Sequence, residues 1–299
     1  MLRKLLAVSS IFVFVTSIAT AADNTLSRPS ITAAEIVSKN VAARGGLQAW
    51  RSVQSLSWTG KLGAGGNQRV TVPEVPAGKR AALLPSDRRP KDEVQLPFTM
   101  EMQRPHKLRF EIQFKGQAAV QVFDGAHGWK LRPYLNRMEV EPYTADELRI
   151  AMTQAELDGP LVDYSAKGTR IELEGTEKVE DRDAYKLRLT MKDGHVTHVW
   201  VDAGSFLEAK SEGQPRRLDG LEHPVEIYYR DYRNVDGLRI PFVLETRVLP
   251  VASVTSKTPA FHDVPAQPEK ITIENVVVNP KLDASLFIKP EVQMASNRH

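Results

Sequence analysis

Apolar and polar residues alternate with a period of two along most of this chain, and the alternation is cleanest in residues 106–114. There Leu108, Phe110, Ile112 and Phe114 fall on one side, and Lys107, Arg109, Glu111 and Gln113 on the other, which predicts a half-buried antiparallel strand. Similar runs at 55–62, 117–123, 169–179, 184–192, 195–202, 207–212, 225–234, 238–249 and 270–278 predict further strands, about eleven in all. Lys115-Gly116, Asp193-Gly194 and Asp236-Gly237 supply turn chemistry between neighbours. A meander of this kind forms a mainly β fold: one strongly curved antiparallel sheet, either closed into a barrel or left partly open.

The period changes to 3.6 in two places. Thr32 and Glu35 make a capping box, Ile31 and Ile36 are placed as a staple, and Gly45-Gly46 stops the helix predicted over 33–44. Its apolar stripe of Ala33, Ile36, Val37 and Val41 is narrow and broken by Asn40 and Arg44, and a short turn at 47–53 follows it. Thr144 and Glu147 make a second capping box for a helix over 144–157, with Leu148, Ala151, Met152 and Ala155 at helical spacing. Asp158-Gly159-Pro160 breaks that helix before strands resume. A single helical piece laid into the middle of a β chain reads as the cover of an apolar concave face. A permanent plug and a moving lid suit the sequence equally well.

Apolar strand face is present in excess of what two helices can cover. Leu108, Phe110, Ile112 and Phe114 form one stripe. Tyr185, Leu187 and Leu189 form a second, Ile227 and Tyr229 a third, and Phe242 and Leu244 a fourth. Trp129, in the hairpin that begins at Phe123-Asp124-Gly125, is expected in the same wall. A closed barrel buries such stripes against each other, whereas an open one leaves a cavity for an apolar ligand.

Composition sharpens this picture. Arg3 and Lys4, the apolar run 5–18 and Ala19-Thr20-Ala21 read as a secretory signal peptide, residues 1–21, ahead of one domain at 22–299. No other apolar stretch approaches the roughly 20 residues that a membrane-spanning helix needs. Cysteine is absent, which removes disulfides, thiolate chemistry and the lipid-modified cysteine that would tether a lipoprotein. The expected location is therefore the periplasm, without a lipid anchor. Removing the signal's two basic residues takes the formal net charge from +3 to +1, which makes a nucleic-acid partner improbable. Residues 63–93 and 251–268 carry no sustained period and read as long surface loops, the first with a basic cluster at Arg88-Arg89-Pro90-Lys91.

Candidate chemistry is thin. His195 and His198 are three apart, and on a strand that odd spacing sends them to opposite faces. Glu172 and Glu174 share a strand face, as do Asp181 and Asp183 if the strand continues, but alternation with Ile171 and Leu173 makes this an ordinary solvated face. No nucleophile elbow, zinc-protease helix, phosphate loop or dinucleotide fingerprint occurs. The chain is accordingly expected to be no enzyme, with no catalytic residue, metal or cofactor.

Several stretches together resemble the periplasmic lipoprotein-carrier superfamily, LolA/LolB-like, and within it the outer-membrane lipoprotein-sorting proteins. They are GGLQAWRSVQSLSWTGK at 45–61, the run 97–131 containing RPHKLRFEIQF and FDGAHGWKL, QAELDGPLVDYSAKG at 154–168, DAYKLRLTMKDG at 183–194, YRDYRNVDGLRIPFVLET at 229–246 and VVVNPKLDASLFIKP at 276–290. The resemblance implies an open barrel of about eleven strands with helices as a lid, around a cavity for acyl chains. It implies carriage of lipid or lipoprotein between a membrane-protein donor and acceptor, without chemistry, by a monomer. The loops at 63–93 and 251–268 look longer than the superfamily's pattern requires. Two other readings accompany it: an envelope sensor or scaffold that uses the same fold, and a hydrolase whose residues meet only in space.

Overall fold

The computed structural model describes residues 31–65, 93–133, 137–218, 221–251 and 268–291, and the signal-peptide reading and most of both predicted loops lie outside them. Two helices come first, α1 (Ala33–Ala43) and α2 (Leu47–Ser52). Six strands follow: β1 (Ser55–Gly65), β2 (Glu93–Gln103), β3 (Lys107–Phe114), β4 (Gln117–Phe123), β5 (Gly128–Arg132) and β6 (Arg137–Pro142). Helix α3 (Ala145–Gln154) then precedes β7 (Arg170–Val179), β8 (Arg182–Thr190), β9 (Val196–Asp202), β10 (Glu208–Leu218), β11 (Leu221–Val235), β12 (Leu238–Val248) and β13 (Glu269–Val278). A short 3₁₀ turn, Ala284–Phe287, closes the described chain.

Both capping boxes form. The Thr32 hydroxyl accepts from the Glu35 amide while Glu35 accepts from the Thr32 amide, and Thr144 and Glu147 repeat the arrangement at α3. Lys115-Gly116 and Asp236-Gly237 each take two left-handed residues, as a tight hairpin twisted with its strands requires. Glu180-Asp181 does the same, so the strand breaks at Asp181, and Asp181 and Asp183 do not share one strand. Asp193-Gly194 sits inside a longer connection between β8 and β9.

All thirteen described strands belong to one curved antiparallel sheet, ordered β6-β5-β4-β3-β2-β1-β13-β12-β11-β10-β9-β8-β7. The count exceeds the expected eleven because the short β5 and β6 each pair as full strands. The first and last strands meet mid-sheet, where β1 pairs with β13. The two edges are β6 and β7, consecutive in the chain, and the sheet is not closed through them.

Alternation gives the sheet two faces of different chemistry. On the inner face Leu56, Met102, Leu108 and Phe123 lie in cross-strand register, and Gly60 and Phe98 do likewise. A side chain at Gly60 would collide with the backbone of Thr272 and the ring of Phe98, so glycine there lets β13 and Phe98 close in. The outer face carries aromatic rings sealed by long cations. Lys210 Nζ lies 4.2 Å from the centroid of Trp200, and the Arg247 guanidinium lies 4.1 Å from that of Tyr228. The charged groups lie over the rings and also pair with Glu226 and Glu245.

Candidate ligand chamber

The inner face is covered unevenly. Helices α1 and α2 bury Ile36, Val37 and Trp50, and Leu161 and Val162, which follow α3, are fully buried with them. Backbone bonds fix these pieces to strand ends: the Arg104 amide donates to the Gln54 carbonyl, the Arg239 amide to the Arg44 carbonyl, and the Asn40 side chain to the Phe206 carbonyl. At that end Leu56, Met102, Leu108, Leu238 and Ile240 are buried. Further along the same strands Trp58, Leu62, Leu96, Met100, Phe110, Ile112, Phe114 and Leu244 keep part of their surface accessible. Apolar surface therefore stays accessible beyond the packed end, around the buried Phe98 and Ile273.

The sheet brings most of the sequence-named residues to this face. Leu108, Phe110, Ile112 and Phe114 lie on it along β3, and Tyr185, Leu187 and Leu189 along β8. Tyr229 pairs with Leu244, and Ile227 and Phe242 share their side. Leu187 and Leu189 are 0% exposed, so they form packed core and not accessible wall. Trp129 is a correction: it pairs with Val122, on the face opposite Phe123, and packs with the outer cluster of Val120, Val122 and Leu131. The Asp124 loop between β4 and β5 is long enough that Gly128, not Trp129, falls opposite Phe123.

Helix α3 packs over β4 and β5 and is shorter than expected, ending at Gln154. Ala151 and Ala155 are buried and Leu148 is half-buried, whereas Met152 is 40% exposed and turned away from the packed side. Tyr143 seats its ring against Gly128, where any side chain would collide with it. Burial, then the nearby Glu147 charge, pushes its phenol up to about 12. The helix is clasped to the sheet by an ion pair between Glu147 and the buried Lys130. Burial works to raise the Glu147 carboxyl, but the bonds from Lys130 and the Thr144 amide hold it below its ordinary value.

Behind α3 the chain is held by a buried polar knot. Asp158, 2% exposed, pairs with Arg104 at 2.6 Å and with Lys167, and its carbonyl accepts from Arg44 at 2.9 Å. Lys167 also meets Glu156 at 2.7 Å, and Arg51 binds Asp163 through two bonds. Arg44 stacks 4.3 Å over Trp50 and reaches Glu208 at 3.3 Å. On the inner face beside this pair, the Ser211 hydroxyl lies 2.8 Å from that of Tyr229, and Tyr232 donates to Glu208. Asp231 takes a left-handed φ of 52° that interrupts β11 just before Tyr232.

Sequence reading missed these polar residues. Arg44 looked like a break in a stripe and Asp158 like part of a turn, and each partner is distant in sequence. His198 stands on the outer face between Glu174 and Glu212, and among the described residues no group of three or more acids and histidines is arranged to hold a metal.

The fold defines the class: an unclosed antiparallel sheet whose apolar inner face is packed at one end and partly accessible at the other. No family model matches the chain, and no curated protein does. Among solved structures it is similar to a LolA superfamily protein from Nitrosomonas europaea, at 14% identity and a TM-score of 0.48, over 87% of this chain and 99% of that one. It is also similar to a protein described as an outer membrane lipoprotein-sorting protein domain, from Vibrio parahaemolyticus, at 10% identity and 0.47, over 85% and 95%. A DUF1329 family protein from Desulfovibrio piger matches at 12% and 0.46, over 86% and 97%. These are likenesses in fold.

Proposed function

We propose that this protein takes lipid or lipoprotein acyl chains into the hollow end of its inner face and carries them across the periplasm, as a monomer and without chemistry. The observation that carries the reading is the run Phe110, Ile112 and Phe114 on β3, apolar, inward and only half-buried, beside Met100 on β2 and with Leu244 on β12 in the same state. Each methylene moved from water into such a hollow contributes about 0.8 kcal/mol, so part of an acyl chain gains enough to bind and little enough to be released. The carrier resemblance in the sequence points the same way. A hydrolytic reading gains no support from the inner face, where Ser211 meets a phenol that burial keeps protonated and not a base that would activate it.

Native mass spectrometry of protein released gently from the periplasm tests the reading. An acyl-containing ligand is expected on the folded chain, or uptake of added phospholipid by the emptied chain, and Phe110→Asp is expected to weaken both. A folded chain that neither carries nor takes up any acyl compound overturns the proposal. Capture of an inner-membrane signalling protein in place of lipoproteins or a lipid exporter would favour the sensor.

A further inference from the structure

The hydroxyls of Ser211 and Tyr229 have one bond between them and two protons to donate. Among the described residues neither has another side-chain or backbone partner. Ser211 pairs with Ile227 and Val199, and Tyr229 with Leu244, so the couple sits within the apolar wall. Both residues keep part of their surface accessible, and the phenol lies deep on the inner face, near Glu208 and Arg44. Burial raises the Tyr229 phenol above its ordinary value, so it stays a neutral donor.

The charges around the couple decide what it can accept. Arg44 is spent on Glu208 and on the Asp158 carbonyl, and Tyr232 also donates to Glu208. Of the other cations near the inner face, Lys130 pairs with Glu147 and Arg233 with Asp231. Among the described residues the neighbouring Arg44 is already paired, so a ligand carboxylate brought to Ser211 and Tyr229 would face Glu208 at the cost of desolvating its own charge. An uncharged carbonyl meets neither penalty and takes the free proton.

Resting on the chamber reading above, we infer that Ser211 and Tyr229 hold the ester or amide carbonyl of an acylated ligand inside the hollow, so that acyl esters and amides bind ahead of free fatty acids.

Three fluorescent probes of one shape class test this: a conjugated polyene fatty acid, its methyl ester, and a polyene hydrocarbon with no acceptor. The wild-type chain is expected to bind the ester about tenfold more tightly than the acid, a difference of one good hydrogen bond. Ser211→Ala with Tyr229→Phe is expected to lose about that factor for the ester while hydrocarbon binding stays within about twofold. Where the double variant does not fold, Tyr229→Phe alone gives the same comparison. Unchanged ester affinity in the folded variant, or an acid bound more tightly than the ester by the wild type, overturns the inference and leaves the chamber standing. Failure of the wild type to bind any of the three removes the chamber itself, and the inference with it.

Discussion

Along β3 the inner face changes character within a few residues: Leu108 is 8% exposed, while Phe110, Ile112 and Phe114 remain half-open. The same change occurs along β12, from Leu238 and Ile240 to Leu244. Strand chemistry is alike at the two ends, so strand propensity does not separate them. What differs is cover, since α1, α2 and the segment behind α3 are bonded to the strand ends on the Leu108 side. Under the function proposed above, the packed end supplies stability and the open end supplies binding, one sheet serving both because its cover is short.

Substitutions that act on one end and spare the other break or sharpen this division. The largest effect is expected from Trp50→Ala at the packed end, where the indole is buried, donates to the Arg44 carbonyl and lies under the Arg44 guanidinium. It should cost about 3–5 kcal/mol in urea unfolding, with probe affinity per folded molecule unchanged. A loss below about 1 kcal/mol would show that this end is not the stabilising one. Asp158→Ala should come next, at about 1–3 kcal/mol, because it strands Arg104 and Lys167, which keep partial contact with water. If α3 depends on that knot for its seat, hydrogen exchange in 145–154 should rise in the same variant.

Phe110→Ala reverses the pattern. Because Phe110 is half-exposed, its loss should cost only about 1 kcal/mol of stability, yet lower acyl-probe affinity about tenfold. Equal effects on both would erase the distinction between the ends. The smallest effect lies outside both of them, on the outer face. Bonds from Arg230, opposed by burial and joined by Arg247, hold the Glu180 carboxyl at about 2 against an ordinary 4.5. A depressed carboxylate stabilises fully above about pH 4.5 and loses that contribution as pH falls toward 2. Glu180 is 40% exposed, so the amount is about 0.5–1 kcal/mol. Glu180→Gln should flatten thermal stability over that pH window by this much and leave probe binding alone.

The division of the inner face was only partly legible in the sequence. Period-two alternation placed Leu108 through Phe114, Tyr185 through Leu189 and Phe242 with Leu244 on one face, because strand geometry ties side-chain direction to residue parity. It did not distinguish Leu187, sealed in core, from Phe110, open to the hollow, since cover comes from helices elsewhere in the chain. Leu187→Asp would therefore test folding and not ligand binding. Trp129 was misplaced because parity is lost across a loop of unknown geometry. Met152 was misread because an amphipathic stripe does not say which of its margins meets the sheet. The knot around Asp158 was invisible, since Arg44, Arg104 and Lys167 come from three separate stretches of chain.

The order of the strands carries one more consequence. Thirteen strands, each antiparallel to the next, alternate in direction, so the two edge strands β6 and β7 run the same way. Zipping those edges together would require a parallel ladder, and a parallel neighbour is reached only by a crossover that travels the full length of a strand. The stretch from Tyr143 to Thr169 is that return journey. Openness here is a matter of odd parity: the arithmetic that keeps the sheet from closing on its own antiparallel pattern also sends the chain back through α3, over β4 and β5.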